Sequence, residues 1–244
     1  MTSPTFIHTR KNALSKDVCE SLIDIFEKRT ELHNEGVFGS GGETVKDDSI
    51  KSSTDVTFNP SYLDDEDFGP IFNENLIPTL QNGLNEYGNR FYLGMDNVCE
   101  MEISAFFNMQ RYKPGGGYKI FHCERAGNQF FPRTLAWMIY LNDVETGGET
   151  EFFYQQLFER AEIGKLVIWP SDFTHMHRGI VAPYETKYIL TGWYQYTEKV
   201  YAKEFDYENG EGVGDKYELS LNGAHTFSVE NDSYHVLIKE GKND

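Results

Sequence analysis

The chain is poor in cysteine, poor in basic side chains and free of long apolar runs. Its three cysteines, Cys19, Cys99 and Cys123, are odd in number and widely spaced. That argues against a disulfide framework and fits a reducing, cytoplasmic compartment. No apolar stretch approaches the roughly 18 residues that a bilayer-spanning helix needs, so no membrane partner is expected. Residues 1–16 lack a charged-then-apolar signal pattern, and export is not expected either. Lys and Arg number 22 against 39 Asp and Glu, a formal net charge of −17. Such a chain repels phosphate backbones, and no Lys/Arg cluster makes a local basic groove, so nucleic acid is excluded as a partner. Between Glu31 and Pro70 ten acids stand against two lysines. Charge runs of this kind are usually hydrated loops; the other reading is a surface for a basic peptide.

What the chain does have is aromatic side chains, at 15%, which suits a β-rich core. After a short leading strand at residues 5–9, Ser15 is an N-cap with Asp17 in the first turn. Val18, Leu22, Ile25 and Phe26 follow at helical spacing, with Cys19 on the same buried face. Residues 36–53, rich in Gly, Ser and Asp, read as a mobile loop, and 53–60 as a strand. Asp67 to Tyr87 reads as a second helix with an inward stripe of Ile71, Leu76, Leu80 and Leu84, kinked or split by Pro78.

From Val98 the period drops to two. Val98 to Tyr112 is a long strand with Ile103, Ala105, Phe107 and Met109 on one face. Its other face, Ser104, Phe106, Asn108, Gln110 and Tyr112, is too polar for a dry core and is expected to line a wet cavity. Further strands follow at 118–124, 134–142 (apolar throughout, hence buried on both faces), 149–154, 166–170, 174–178 and 186–196. Seven or more short strands after two helices predict a mainly β fold, a two-sheet jelly roll with the N-terminal helices packed on one sheet. Residues 1–200 make one domain, with helical support over 1–95 and a core over 96–196. Residues 201–244 form an acidic extension with a hairpin at 226–238.

The chemistry lies in the core. His122 and Glu124 are two apart, so on extended chain both point the same way and can bite one metal ion. A second histidine follows 55 residues later, at 177, and His175 shares its parity, so parity alone leaves both open as third ligand. Two imidazoles and one carboxylate with open positions opposite describe a facial triad for Fe(II). Lys187 lies on an apolar strand, on the face of Ile189, Thr191 and Trp193. A buried ammonium needs an anionic partner, and no acid lies on its own strand. A bound dicarboxylate would serve, with Thr191 as a second donor.

These pieces occur in an order that resembles one family. RY at 111–112, GGGY at 115–118, HCE at 122–124, YLNDVETGGETEF at 140–152, GKLVIWP at 164–170, HRG at 177–179 and KYILTGW at 187–193 all fall in the stretch from Arg111 to Tyr196, roughly a third of the chain. Together they resemble the Fe(II)/2-oxoglutarate dioxygenases, in the prolyl 4-hydroxylase-like branch. The resemblance implies a double-stranded β-helix, which is a form of jelly roll. It implies Fe(II) on His122, Glu124 and His177, 2-oxoglutarate with its distal carboxylate on Lys187 and a hydrogen bond from Tyr112, O2 as the second cosubstrate and ascorbate as a reductant. The expected reaction hydroxylates a C–H bond of a prolyl or other amino-acid residue in a peptide, protein or small amino-acid-like substrate, releasing succinate and CO2. Tyr118, Asn108, Gln110, Trp193, Arg178 and His175 are the positions expected to contact substrate or to stand behind the ligands. Glu124 departs from the family's usual aspartate. The competing readings are a metal-binding jelly roll that senses or interacts without catalysis, and a zinc hydrolase on the same three ligands. A nucleobase demethylase is disfavoured by the charge.

Overall fold

The computed structural model describes residues 4–91 except 41–42, residues 101–196 except 128–129 and 131, and the backbone of 199–206, 211–220, 227–230 and 233–236. Residues Met1–Tyr196 form one compact unit and Thr197–Asp244 another. In the first unit the order is β1 (His8–Arg10), α1 (Lys16–Lys28), β2 (Asn34–Glu35), β3 (Phe38–Ser40), β4 (Glu43–Val45), β5 (Lys51–Ser52), β6 (Thr54–Phe58), α2 (Phe68–Ile71) and α3 (Ile77–Phe91). There follow β7 (Met101–Tyr112), β8 (Gly117–Tyr118), β9 (Arg133–Tyr140), β10 (Thr150–Phe152), β11 (Leu157–Glu159), β12 (Leu166–Pro170), β13 (His177–Gly179) and β14 (Lys187–Tyr196). The second unit holds two hairpins, β15 (Lys199–Asp206) with β16 (Glu211–Ser220) and β17 (Phe227–Glu230) with β18 (Ser233–Val236).

The framework is a seven-stranded sheet in the order β1-β12-β9-β14-β7-β6-β2, opposed by a smaller sheet β11-β10-β13. A bridge between His122 and His177 adds one more position to the small sheet. Alternation along β9 shows how the layers form. Leu135, Trp137 and Ile139 point to a core shared with the helices. Ala136, Met138 and Tyr140 point into a second core between the sheets, with Phe152 and Trp169. A strand covered on both faces reads as a continuous apolar run, which is why TLAWMIYLN carries no charged residue and is apolar between its first and last positions. This is the expected jelly roll, a double-stranded β-helix with helices on one sheet.

The helices dock as their sequences dictate. Ser15 Oγ accepts from Val18 N–H at 3.3 Å, a cap worth about 1 kcal/mol, and Cys19, Leu22 and Phe26 are buried beneath it. The second helical run is split by a π turn over Phe72–Leu76. Pro78 sits just after it in α3 and offers no N–H to Glu74 O; the widened turn makes room for its ring.

Several expectations need correction. Residues 36–53 are not wholly loop: β3, β4 and β5 lie there, and β5 pairs with β8. Polar composition hid them because they are two- or three-residue pairings that bury little. The face expected to run from Ser104 to Tyr112 is broken, since β7 takes four steps from Phe107 to Ile103 while β14 takes two from Gly192 to Tyr194. The extra residues leave Phe106 exposed, and Ala105 with it, while Asn108, Gln110 and Tyr112 keep to the cavity side. Residues 174–178 are not one strand but a 3-10 turn, Phe173–His175, followed by β13. Val98 and Cys99 lie outside the described residues. Among the described residues no helix is long and apolar enough to cross a membrane.

Candidate metal centre

His122, Glu124 and His177 meet at the mouth of the space between the sheets. The backbone does the assembling: His122 N–H donates to His177 O at 3.0 Å and His177 N–H to His122 O at 2.9 Å, while Glu124 N–H donates to Ser171 O at 3.1 Å. One ligand atom from each of the three residues lies within 4.8 Å of the others. Glu124 Oε1 is 3.3 Å from His177 Nε2 and 3.8 Å from His122 Nε2. The other imidazole nitrogens are held by carbonyls, His122 Nδ1 on Ile120 O at 3.1 Å and His177 Nδ1 on His175 O at 2.9 Å. A ring that donates from Nδ1 to a carbonyl has its Nε2 lone pair free for a metal, the usual arrangement behind a ligating histidine.

Electrostatics favour the ligating protonation states. Burial and the neighbouring His177 push the His122 imidazole down to about 3, against the opposing pull of Glu124. Burial alone would raise the Glu124 carboxyl, but the adjoining His177, His122 and Arg133 side chains hold it well below the usual carboxylate range. A neutral imidazole and an ionised carboxylate are what a divalent cation requires. The donor set of two nitrogens and one oxygen therefore fits Fe(II).

These ligands open onto a cleft of about 750 Å³. Lys187 lies in its wall, 4% exposed. Its Nζ donates to Gly148 O at 3.1 Å, a carbonyl presented by the left-handed Gly147–Gly148 turn, and stands 5.1 Å from the centre of the Tyr112 ring. Among the described residues no carboxylate pairs with it. Burial lowers its pKa to about 8, with Glu149 opposing at longer range.

The other expected residues divide. Tyr118 stacks on His122, ring centres 3.6 Å apart. Tyr112 is buried and its hydroxyl donates to Gln110 Oε1 at 2.6 Å; Gln110 Nε2 in turn donates to Asp55 Oδ2 at 3.2 Å. Thr191 lines the cleft, but its hydroxyl donates to Trp137 O at 3.1 Å. Asn108, also in the wall, accepts from Thr57 Oγ1 at 2.7 Å. Trp193 Nε1 donates to Glu124 Oε2 at 2.9 Å.

His175 and Arg178 do not reach the cleft. The His175 imidazole is spent on Thr5 O at 2.9 Å and Thr174 Oγ1 at 3.0 Å; only its carbonyl serves the centre, by holding His177. Arg178 Nε donates to Glu151 Oε2 at 2.7 Å, and its guanidinium covers Phe121.

Sequence reasoning missed three wall residues. Arg133 lies 3.7 Å from Glu124 Oε2 with its guanidinium on the Trp193 ring. Lys51 and Asp55 form a buried pair at 2.7 Å, and Lys51 also donates to Val37 O at 3.1 Å. The only available signal for this pair was a lysine and an acid four apart beside a strand, which is too common to single out.

Residues 107–195 match the family described as the 2OG-Fe(II) oxygenase superfamily. No curated protein sequence matches the chain. The fold is similar to that of a Pseudomonas putida prolyl-4-hydroxylase, at 16% identity and a TM-score of 0.55, over 78% of this chain and 91% of that one. It is similar to a Trichoplax adhaerens prolyl hydroxylase, solved in complex with a hypoxia inducible factor oxygen degradation domain peptide fragment, at 16% identity and a TM-score of 0.61, over 78% of this chain and 84% of that one. A viral collagen prolyl hydroxylase of Paramecium Bursaria Chlorella virus-1, in its 2OG complex, aligns at 17% identity and a TM-score of 0.50, over 78% of this chain and 96% of that one. At these identities the likeness is one of fold.

Proposed function

We propose that this chain, a member of the 2OG-Fe(II) oxygenase superfamily through residues 107–195, is a 2-oxoglutarate-dependent hydroxylase whose substrate is a prolyl or other amino-acid residue of a peptide or protein. The observation that carries the reading is Lys187, a buried ammonium with no carboxylate partner among the described residues, in the same cleft as the three ligands. An unpaired buried charge is costly, and a dicarboxylate cosubstrate would supply the missing anion. A zinc hydrolase working on the same triad has no use for it.

His122, Glu124 and His177 would hold Fe(II), which when bound supplies the O2 activation and redox chemistry that couples 2-oxoglutarate decarboxylation to C–H hydroxylation. The rest is binding, orientation and exclusion of water. Lys187 anchors the far carboxylate. Tyr112, its proton committed to Gln110, offers an oxygen and an aromatic face beside that anchor. Tyr118 packs flat on His122 and keeps the ring from turning. Asn108 and Thr57, which line the cleft, are polar groups suited to peptide amides. The peptide substrate is supported by the complex solved for the Trichoplax adhaerens enzyme.

The test is to incubate iron-loaded protein with 2-oxoglutarate and a panel of proline-containing peptides. Succinate together with a peptide gaining the mass of one oxygen atom is expected. Succinate without any oxidised peptide would reject the peptide substrate and leave a small amino-acid-like one.

A further inference from the structure

A carboxylate has two oxygens, and glutamate carries one more rotatable bond than aspartate. A glutamate ligand free to turn would present either oxygen, or both, to a metal. Here the choice is already made. Trp193 Nε1–H donates to Oε2 at 2.9 Å, and Arg133 stands 3.7 Å from the same oxygen while donating to Glu124's own carbonyl at 3.3 Å. The guanidinium is itself fixed, 3.4 Å above the Trp193 ring and 4.2 Å from that of Phe130. Oε1 alone is left toward the two imidazoles, at the 3.3 and 3.8 Å given above.

We propose that Trp193 and Arg133 are positioning residues that hold Glu124 as a one-oxygen ligand, and that this centre is built for glutamate rather than for the shorter aspartate. The proposal rests on the metal-centre reading. The way Trp193 is placed supports it. The β7 register skips opposite Trp193, so the residue has no β7 partner; bulges beside functional sites commonly re-aim a side chain in this way. The preceding position must be glycine, since a Cβ on Gly192 would lie 2.6 Å from Trp137 Cζ2 and 2.8 Å from Phe107 Cβ. Packing alone would be satisfied by any large ring at 193, whereas an indole N–H aligned on a carboxylate oxygen is specific. An aspartate, one methylene shorter, cannot keep its outer oxygen on that N–H and bring the other equally far toward the imidazoles.

The experiment titrates Co(II) alone, followed by its visible ligand-field bands, into the parent, Trp193→Phe, Glu124→Asp and the double variant, with circular dichroism as the folding control. Trp193→Phe is expected to weaken Co(II) about tenfold, at the lower end for residues behind metal ligands. Glu124→Asp is expected to weaken it comparably, and the double variant to bind no more weakly than Glu124→Asp alone. Parent-like affinity in Trp193→Phe, or losses that simply add, would overturn the proposal. If Trp193→Phe does not fold, Arg133→Gln, altered at a part-exposed side chain, should lose several-fold in affinity, and no loss there would overturn it equally. A parent that binds no Co(II) would overturn the metal centre itself, and this proposal with it.

Discussion

Replacing Lys187 by methionine should make the protein more stable and the cosubstrate site useless. Methionine keeps the length and loses the charge. The folded-state pKa falls from 10.5 to about 8. At about 1.4 kcal/mol per pH unit, that places the cost of the buried ammonium near neutral pH at ~3 kcal/mol. The substitution removes that cost but leaves Gly148 O without its donor, a loss of about 1 kcal/mol. A net gain of ~2 kcal/mol is expected for the metal-free, cosubstrate-free protein, read as a higher urea midpoint at unchanged slope. Against this, truncating one member of a buried charge pair costs roughly 2–5 kcal/mol in binding, so 2-oxoglutarate affinity should fall at least 30-fold while metal affinity holds. Anaerobic calorimetry on metal-loaded protein measures the second effect. A variant that is less stable and still binds 2-oxoglutarate like the parent would refute the reasoning, since Lys187 would then be a structural cation.

Three other outcomes follow from the same geometry. Lys187 in the free protein loses its proton near pH 8, and only the charged form pairs with a dicarboxylate, so 2-oxoglutarate affinity should fall about tenfold per pH unit above that value, with proton uptake on binding; a flat profile from pH 7 to 10 would contradict it. The same depressed pKa makes this group's stability penalty complete below pH 8 and relieved as pH rises toward 10.5, a rise in stability that Lys187→Met should lack. His177→Ala should abolish metal binding, whereas His175→Ala, which cuts the imidazole contacts to Thr5 and Thr174 but keeps the carbonyl under His177, should retain metal and lose about 1–3 kcal/mol of stability; metal loss in the His175 variant and retention in the His177 variant would reverse the assignment.

What the sequence disclosed and what it hid have physical causes. His122 and Glu124 were legible because the chain there is extended enough for two-residue parity to hold, and the His122–His177 bridge then brings the second histidine opposite. Lys187 was legible because a charge on an apolar strand is a contradiction that needs a partner. His175 was misread as sharing a strand face, since nothing in THMHR distinguishes a 3-10 turn from extended chain. Trp193 was placed on the correct face, but its role depends on a register shift and on Arg133, which arrives from the start of another strand. The buried Lys51–Asp55 pair was invisible because Lys51 falls in a segment that reads as polar loop, and the burial of the pair is imposed by strands far away in the chain.

One measurement bears most directly on the central claim that the cleft holds Fe(II) and 2-oxoglutarate together. Under anaerobic conditions, 2-oxoglutarate is added to parent protein loaded with one Fe(II) per chain, the visible spectrum is followed, and air is then admitted. A weak metal-to-ligand charge-transfer band should appear on addition, decay with succinate formation in air, and be absent from Lys187→Met at the same concentrations. A folded, iron-loaded parent that shows neither band nor succinate would contradict the account.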